Sequence, residues 1–510
     1  MAAGALALGP RFWRDALAAP ATPGPGPYGP PVGSPNELGL ALSQGFSSRL
    51  IAKSGTPVLG TTYDMHFFPD GSATYPLSDG GWILVSNSEV PIPAEVPTLP
   101  IGGGPQNGGG AGAIRFASDG SIRDAYRILS GTSTNCAGGK TPWGTWMSCE
   151  EIDEGHVWEC DPAGEKPAVE HPAMGTFKHE AIAVDPEGKR VYLTEDQGDG
   201  GFYRFTPTNY PDCSAGLLEI ALVDANGLVS WNPLPDPAAA TTPTRKQVPM
   251  TEFKRGEGIW FDSGVVYVAT TSDNKIHAYD PSTESIEVVY DQKVGDGPLN
   301  GVDNVTAAPS GDIYVCEDNG TNQIDIGLLT PEGEVARFLT ATGPQHEQSE
   351  LTGVTFDPSG TRMYFSSQRS FGGPGAVFEV TGPFRQTRPA ATAPVGGALR
   401  LRAHAGHLAN LEKFRRGGGM AIEITPNHTV RAKVTIRARI GGRDVTLARS
   451  FADLTAGKPQ RVRLNPTSAA RERLRGRTNV AATITVSAKH AASGTADVLN
   501  RDVRFVKSKR

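Results

Sequence analysis

The sequence predicts an all-β protein: a six-bladed β-propeller followed by a small immunoglobulin-like β-sandwich. Three observations carry this expectation. Gly and Pro number 62 and 41 of 510 residues, which favours short strands and turns over long helices. A turn followed by a Tyr-centred strand recurs through the middle of the chain. Beyond residue 397 the pattern changes to strict two-fold alternation of apolar and polar side chains. A chain of this length is too long for one ordinary core, so two domains are expected.

Residues 1–35 read as an export-signal remnant and a Pro/Gly linker. Residues 2–8 are apolar, Ala16-Leu17-Ala18 offers a small-x-small cleavage pattern, and residues 20–35 are rich in Pro and Gly. No charged segment precedes the apolar run, so the true start is expected upstream, with a twin-arginine pair. No stretch is long and apolar enough to span a membrane as a helix. The five cysteines are an odd count, so at least one is free in a monomer. Cys160 and Cys213 are a disulfide candidate that the sequence leaves undecided.

Residues 36–384 are expected to form the propeller. Asp185-Pro186-Glu187-Gly188 leads into Val191-Tyr192-Leu193, Asp262-Ser263-Gly264 into Val266-Tyr267-Val268, Pro309-Ser310-Gly311 into Ile313-Tyr314-Val315, and Asp357-Pro358-Ser359-Gly360 into Met363-Tyr364-Phe365. Each is a turn and a β-rich strand. The last three tyrosines stand 47 and 50 residues apart, close to the spacing of propeller blades. Residues 207–250 read as an insertion, and weaker copies occur around Pro69-Asp70-Gly71 and Ser118-Asp119-Gly120. Five to seven blades fit; six is the expectation.

In a propeller the innermost strand of each blade lines a central channel, so equivalent positions converge. Before the turn glycines stand Glu180, Glu257, Asn304 and Thr352, with His179, Asp303 and Glu350 beside them. Three residues past the strand tyrosines are Glu195 and Glu317, each followed by an Asp. Carboxylates gathered at one axis raise each other's pKa and need cations or basic groups to compensate. Oxygen-rich sites hold hard cations such as calcium, and a thiolate invites iron or zinc. Arg255, His179 and Lys140 could instead bind an anionic substrate, and single acids could simply cap turns.

The stretch 131–151, GTSTNCAGGKTPWGTWMSCEE, sets a soft sulfur beside hard oxygens. That suits a transition-metal site; the bland alternative puts Trp146 and Cys149 in the core and Glu150-Glu151 in a solvated turn. Laid on the repeat, Trp146 takes the Tyr position and Cys149 the Glu position, with Thr134-Asn135 beside Glu180.

These residues resemble the signature of the PhoX-type alkaline phosphatases. The motifs are Asn135-Cys136-Ala137-Gly138-Gly139, Thr141-Pro142-Trp143-Gly144-Thr145 and Cys149-Glu150-Glu151, then Gly175-Thr176-Phe177-Lys178-His179-Glu180, Val302-Asp303-Asn304-Val305 and Glu350-Leu351-Thr352-Gly353. The resemblance implies a secreted, monomeric six-bladed propeller that hydrolyses phosphomonoesters at a two-iron centre with calcium ions and one thiolate ligand. It implies Cys149 as that thiolate, with Cys136 the fallback. Metal ligands are expected among Glu89, Glu150, Glu180, Glu257, Asp303, Asn304, Glu317 and Glu350. Asn135 and Arg255 are the candidate phosphate contacts beside Cys149. Two departures stand out: Asn87-Ser88-Glu89 lacks the family's usual imidazole, and Arg255-Gly256-Glu257-Gly258 replaces its Arg-Pro-Glu-Trp, each keeping the acid. A calcium-dependent propeller esterase or lactonase, and a non-catalytic binding propeller, are the alternatives.

Residues 385–397 read as an Ala/Thr/Pro linker, and residues 398–510 as the basic sandwich. Val430, Ala432, Val434, Ile436, Ala438 and Ile440 alternate with Arg431, Lys433, Thr435, Arg437 and Arg439, as half-buried strands do. From residue 385 onward there are 26 Lys and Arg against 7 Asp and Glu, leaving 22 basic and 47 acidic residues before it. The outward arginines suit an anionic cell-wall polymer or membrane surface, or serve only solubility. No nucleic-acid motif is present.

Overall fold

Antiparallel strands of five to twelve residues make up about half of the described residues. The computed structural model describes residues 20–507 apart from 92–99, 102–103, 106–107, 225–226, 295, 389–400, 405–407, 427–429, 456–457 and 490–495. The export signal expected at residues 1–19 and most of the expected linker lie outside the described residues. The chain divides into two compact units, Met1–Arg388 and Pro389–Arg510.

Among the described residues, the first unit holds six sheets of four or more strands. The first contains Pro69–Pro76, Trp82–Ser88, Gly109–Phe116 and Ile122–Thr132, in that order; the second Asn135–Lys140, Trp146–Glu150, Val157–Cys160 and Val169–Glu170. The third begins with His179–Asp185 and Arg190–Glu195, and the residue 207–250 insertion extends it with Asp212–Val223 and Val229–Pro233. The fourth begins with Gly256–Asp262 and Val265–Thr270, the fifth with Val302–Ala307 and Ile313–Glu317, and the sixth with Leu351–Phe356 and Arg362–Ser367. The last strand of the sixth sheet comes from far upstream: Ser47–Lys53 pairs with Ala376–Thr381. The two ends of the unit therefore meet in one sheet.

The recurring tyrosines anchor the second strands. Tyr192, Tyr267, Tyr314 and Tyr364 are fully buried, each contributing roughly 2–3 kcal/mol of apolar burial. The first strands of successive sheets touch in cyclic order, the sixth returning to the first. Glycines allow this approach. A Cβ on Gly71 would lie 2.6 Å from the Ala137 Cα, one on Gly258 2.6 Å from the Asn304 Cα, and one on Gly353 2.5 Å from the Asp70 carbonyl.

Two expectations need correction. Residues 20–35 are not a free linker: Thr22–Pro23 pairs with Glu334 and Val335 at the edge of the fifth sheet. Tyr28 packs edge-on against Phe46 and Phe338, at 5.1 and 5.7 Å between ring centres. Pro69-Asp70-Gly71, read as a turn, is instead the start of an inner strand. All five cysteines are free thiols, Cys160 and Cys213 included.

The second unit has a five-stranded and a three-stranded sheet. The expected alternation places Val434, Ile436, Ile484 and Val486 of the larger sheet in one core with Ile422, Ile424 and Leu464 of the smaller. Arg431, Arg437 and Arg439 face solvent.

Candidate metal centre

One backbone device recurs around the first unit. In each of five sheets the inner strand carries two residues opposite one on its neighbour: Asp70-Gly71, Cys136-Ala137, Glu180-Ala181, Glu257-Gly258 and Asp303-Asn304. In the sixth the shift comes one residue later, at Gly353-Val354. Such a bulge bends the strand and re-aims a side chain. The first residue of the five equivalent bulges is therefore Asp70, Cys136, Glu180, Glu257 or Asp303: four carboxyls and a thiol.

A second equivalence fixes the residue that follows each second strand. The amides of Glu89, Glu151, Asp196, Thr271, Asp318 and Gln368 donate to the carbonyls of Phe68, Thr134, Lys178, Arg255, Gly301 and Glu350, at 2.7–3.3 Å. Phe68, Thr134, Arg255 and Gly301 hold positive φ values between 46° and 68° to make this turn. For the three that are not glycine this is strain. The result is a second tier of polar residues directly after the second strands.

The two tiers converge. Ligand-type atoms of Asp70, Glu89 and Cys136 lie within 4.8 Å of one another, as do those of Cys136, Glu151 and Glu180, and those of Glu180, Glu257 and Asp303. Cys136 and Glu180 are each shared by two groups. The Cys136 thiol donates to Glu180 Oε1 at 3.4 Å. Gln368 Nε2 donates to Asp70 Oδ2 at 2.7 Å and Glu89 Oε2 at 2.5 Å. Arg255 donates through Nε and Nη2 to Asp196 at 2.9 and 3.1 Å. Its Nη2 also stands 2.8 Å from Glu257 Oε1, but off hydrogen-bonding angle, so that oxygen counts as unbonded. Arg369 Nη1 donates to Glu350 Oε1 at 2.7 Å.

Without a cation this centre is electrostatically costly. Burial, and then neighbouring carboxylates, hold Asp70, Glu180, Glu257 and Asp303 well above the usual carboxylate range. Burial and then Glu89 and Asp196 push Glu151 up to about 9, and burial with Asp318 and Glu89 pushes Glu350 up to about 7. Burial, then Asp70 and Glu180, raises the Cys136 thiol well above its ordinary value. Glu180 Oε2 and Glu257 Oε1 are buried with no hydrogen-bond partner. Buried oxygens without donors, beside a thiol and within a few ångströms of further carboxylates, are what a set of cations would satisfy. The residues present fit a metal group.

Six of the expected site residues belong to this region: Glu89, Glu180, Glu257 and Asp303 within the ligand groups, and Arg255 and Glu350 at their rim. Asn304 lies beside Asp303, and Cys149, Asn135, Glu150 and Glu317 lie elsewhere. Cys149 is buried in the core between the second and third sheets, with Met147, Val157, Phe177 and Leu193, and belongs to none of the ligand groups among the described residues. Asn135 pairs with Glu150 as His179 pairs with Glu195. Met147, not Trp146, therefore holds the Tyr position, Glu150, not Cys149, is the counterpart of Glu195, and Cys136, not Asn135, is the counterpart of Glu180. A slip of one residue along a strand exchanges its faces.

Glu150 and Glu317 serve the backbone. Glu150 accepts from the Ser133 amide at 2.9 Å and from Trp158 Nε1 at 3.0 Å. Glu317 accepts from the amides of Asn300 and Asp325 at 2.7 and 2.8 Å, and burial, then Asp325, pushes it up to about 8. Asn304 supports Asp303, donating to its Oδ1 at 2.9 Å while accepting from the Gly353 amide at 2.6 Å. Asn135 is fully buried and spent on Thr132 and Ser148, so it cannot meet a substrate. Asp70, Glu151, Asp196, Asp318 and Gln368 were missed. For Asp196 and Asp318 a signal existed: the acid after Glu195 and Glu317 is the one that turns toward the centre.

A family model described as alkaline phosphatase PhoX matches residues 100–156, 152–288 and 280–370, together just over half of the chain. No curated protein matches the sequence. Among solved structures, a gluconolactonase from Xanthomonas campestris is 15% identical over 72% of this chain and 99% of its own, at a TM-score of 0.36. Regucalcin from Agrobacterium tumefaciens, a calcium-binding protein, is 14% identical over 68% of this chain and 98% of its own, at 0.33. An auxiliary nutrient binding protein from Bacteroides thetaiotaomicron is 10% identical over 66% and 76%, at 0.40. At these scores the likenesses carry no argument about chemistry.

Proposed function

Because this chain belongs to the PhoX alkaline phosphatase family, we propose that it is a metal-dependent phosphatase acting on phosphomonoesters at the centre of the first unit. The six sheets are then the blades of one six-bladed propeller, the second unit an immunoglobulin-like sandwich, and the whole a secreted monomer. The observation that carries this reading is the convergence of Asp70, Cys136, Glu180, Glu257 and Asp303, one from each of five sheets, with oxygens left unbonded.

Asp70, Glu89, Cys136, Glu151, Glu180, Glu257 and Asp303 would hold the cations. The thiol marks the position for iron and the all-oxygen group Glu180, Glu257 and Asp303 suits calcium. Bound cations supply Lewis-acid polarisation of the phosphoryl oxygens. The chain's own part is charge and placement, which dominate phosphoryl transfer. Arg255, with a side chain 38% exposed, keeps Nη1 uncommitted among the described residues while Asp196 orients its fork. Arg369, 47% exposed, presents a second guanidinium beside Glu350. Arg255 and Arg369 are the cationic donors proposed for a phosphate dianion at this centre.

The test is elemental analysis of the purified protein, paired with turnover of a chromogenic phosphate monoester at alkaline pH. Bound iron and calcium with turnover are expected. Protein that takes up neither metal, or a loaded protein that leaves the ester intact, overturns the reading.

A further inference from the structure

Gln368 occupies the place where four of the other five sheets put an acid and the fourth sheet puts Thr271. Its amide donates to the Glu350 carbonyl at 3.1 Å, as the amides of Glu89, Glu151, Asp196 and Asp318 do to their own turns. Where those residues bring a carboxylate, the sixth sheet brings a neutral carboxamide. The side chain is fully buried. Its Nε2 spans two carboxylates of the first sheet, Asp70 Oδ2 at 2.7 Å and Glu89 Oε2 at 2.5 Å. Its Oε1 is buried without a hydrogen-bond partner.

We propose that Gln368 is a positioning residue for the cation site of Asp70, Glu89 and Cys136, drawing two carboxylates of the first sheet together from the sixth. This rests on the metal-centre reading above. Asp70 and Glu89 repel each other, and each raises the energy of the other's ionised form. An amide N–H₂ donates to both at once without adding negative charge. A carboxylate at position 368 would repel both. The fixed amide leaves Oε1 as a neutral oxygen of the kind hard cations accept. The contact also crosses the junction where the unit closes. Beside it, Thr352 Oγ1 donates to the Pro69 carbonyl at 3.0 Å, and Ser72 Oγ donates to the Gly353 carbonyl. Binding at Asp70 and Glu89 is thereby tied to the seam between the sixth and first sheets.

The experiment is ferrous-iron titration of the metal-stripped full chain by anaerobic calorimetry, for the wild type, Gln368→Met, Glu89→Gln and the double variant. Met keeps the volume and removes the donor. Expected is ferrous-iron binding about 10- to 100-fold weaker in Gln368→Met, the usual cost of losing a group that orients a ligand. In the Glu89→Gln background the same change should have no further effect on affinity, because the pair acts as one unit. A purely space-filling role, which Met preserves, would leave affinity unchanged; wild-type affinity in Gln368→Met, whatever its melting temperature, overturns the proposal without touching the phosphatase reading. A wild type that binds neither calcium nor ferrous iron sinks both. Should Gln368→Met not fold, Gln368→Asn retracts the amide by one methylene and is expected to show the same loss, with unchanged affinity again counting against the proposal.

Discussion

Cys136 and Cys149 lie on adjacent strands of the second sheet, and the face each occupies decides its chemistry. Cys136 is the first residue of a bulge and meets Glu180; Cys149 sits one pairing position from Glu150 and points into the core. Cys136→Ser is expected to lose thiolate-bound metal and the phosphatase activity that depends on it, measured by elemental analysis and ester turnover. Cys149→Ser should keep its metal and lose about 1–3 kcal/mol of stability, the cost of burying a hydroxyl in an apolar core, read from denaturant unfolding. Glu180→Gln separates stability from function in the opposite sense. It removes one charge from a crowded buried centre, so the metal-free protein should melt higher while calcium binds more weakly; a lower melting temperature without metal would count against the repulsion argument.

At the scale of the element, the inner strands do two jobs with neighbouring residues. The first bulge residue carries the ligand atom, and a small residue near it lets the next sheet approach. Gly258→Ala would place a Cβ 2.6 Å from the Asn304 Cα, with backbone rather than a flexible side chain in the way. A loss of about 1–3 kcal/mol is expected, as for overpacking elsewhere, together with weaker metal binding, since Asn304 supports Asp303. Unfolding and calcium titration of the same variant test both. The strands themselves were legible in the sequence because a turn glycine and a buried tyrosine punctuate them. The bulges were not, since an extra residue leaves no compositional mark. Separately, a template aligned on Trp146 instead of Met147 was one residue out of register, and so put Cys149 rather than Glu150 at the position of Glu195.

For the whole molecule, stability should depend on pH in a direction set by the centre. The carboxyls of Glu151 and Glu350 have folded pKa values of about 9 and 7, above those of the unfolded chain, so the metal-free folded protein holds protons that the unfolded chain releases. Stability is then fullest below about pH 4.5 as far as these groups are concerned, and falls as pH rises toward 9. Melting temperatures of the stripped protein should decline across that window. Added calcium should restore them most at the alkaline end, because cations bind the ionised form. The charge is also segregated: 26 basic against 7 acidic residues from position 385 onward, in a chain whose net charge is −6. At low salt the intact protein should be retained on both cation and anion exchangers, and elute from each as salt screens the separate surfaces; passage through the cation exchanger would show that the basic residues are masked.

The sequence by itself determined the β class, the repeat and its anchoring tyrosines, the alternating basic strands of the second unit, and the acids Glu89, Glu180, Glu257 and Asp303. Apart from Glu89, which only the family resemblance implied, each follows from local pattern: period, turn chemistry and the position of an acid within a repeat. Only the tertiary structure decided which acids converge with the Cys136 thiol and which serve as braces. Glu150 and Glu317 resemble ligands in sequence yet spend their oxygens on backbone amides. Asp70 looks like a turn residue and Gln368 like an ordinary amide, yet they meet across nearly 300 residues of chain. Strand register and the closing of the first sheet on the sixth are non-local facts, and a shift of one residue in either reverses the face a side chain presents.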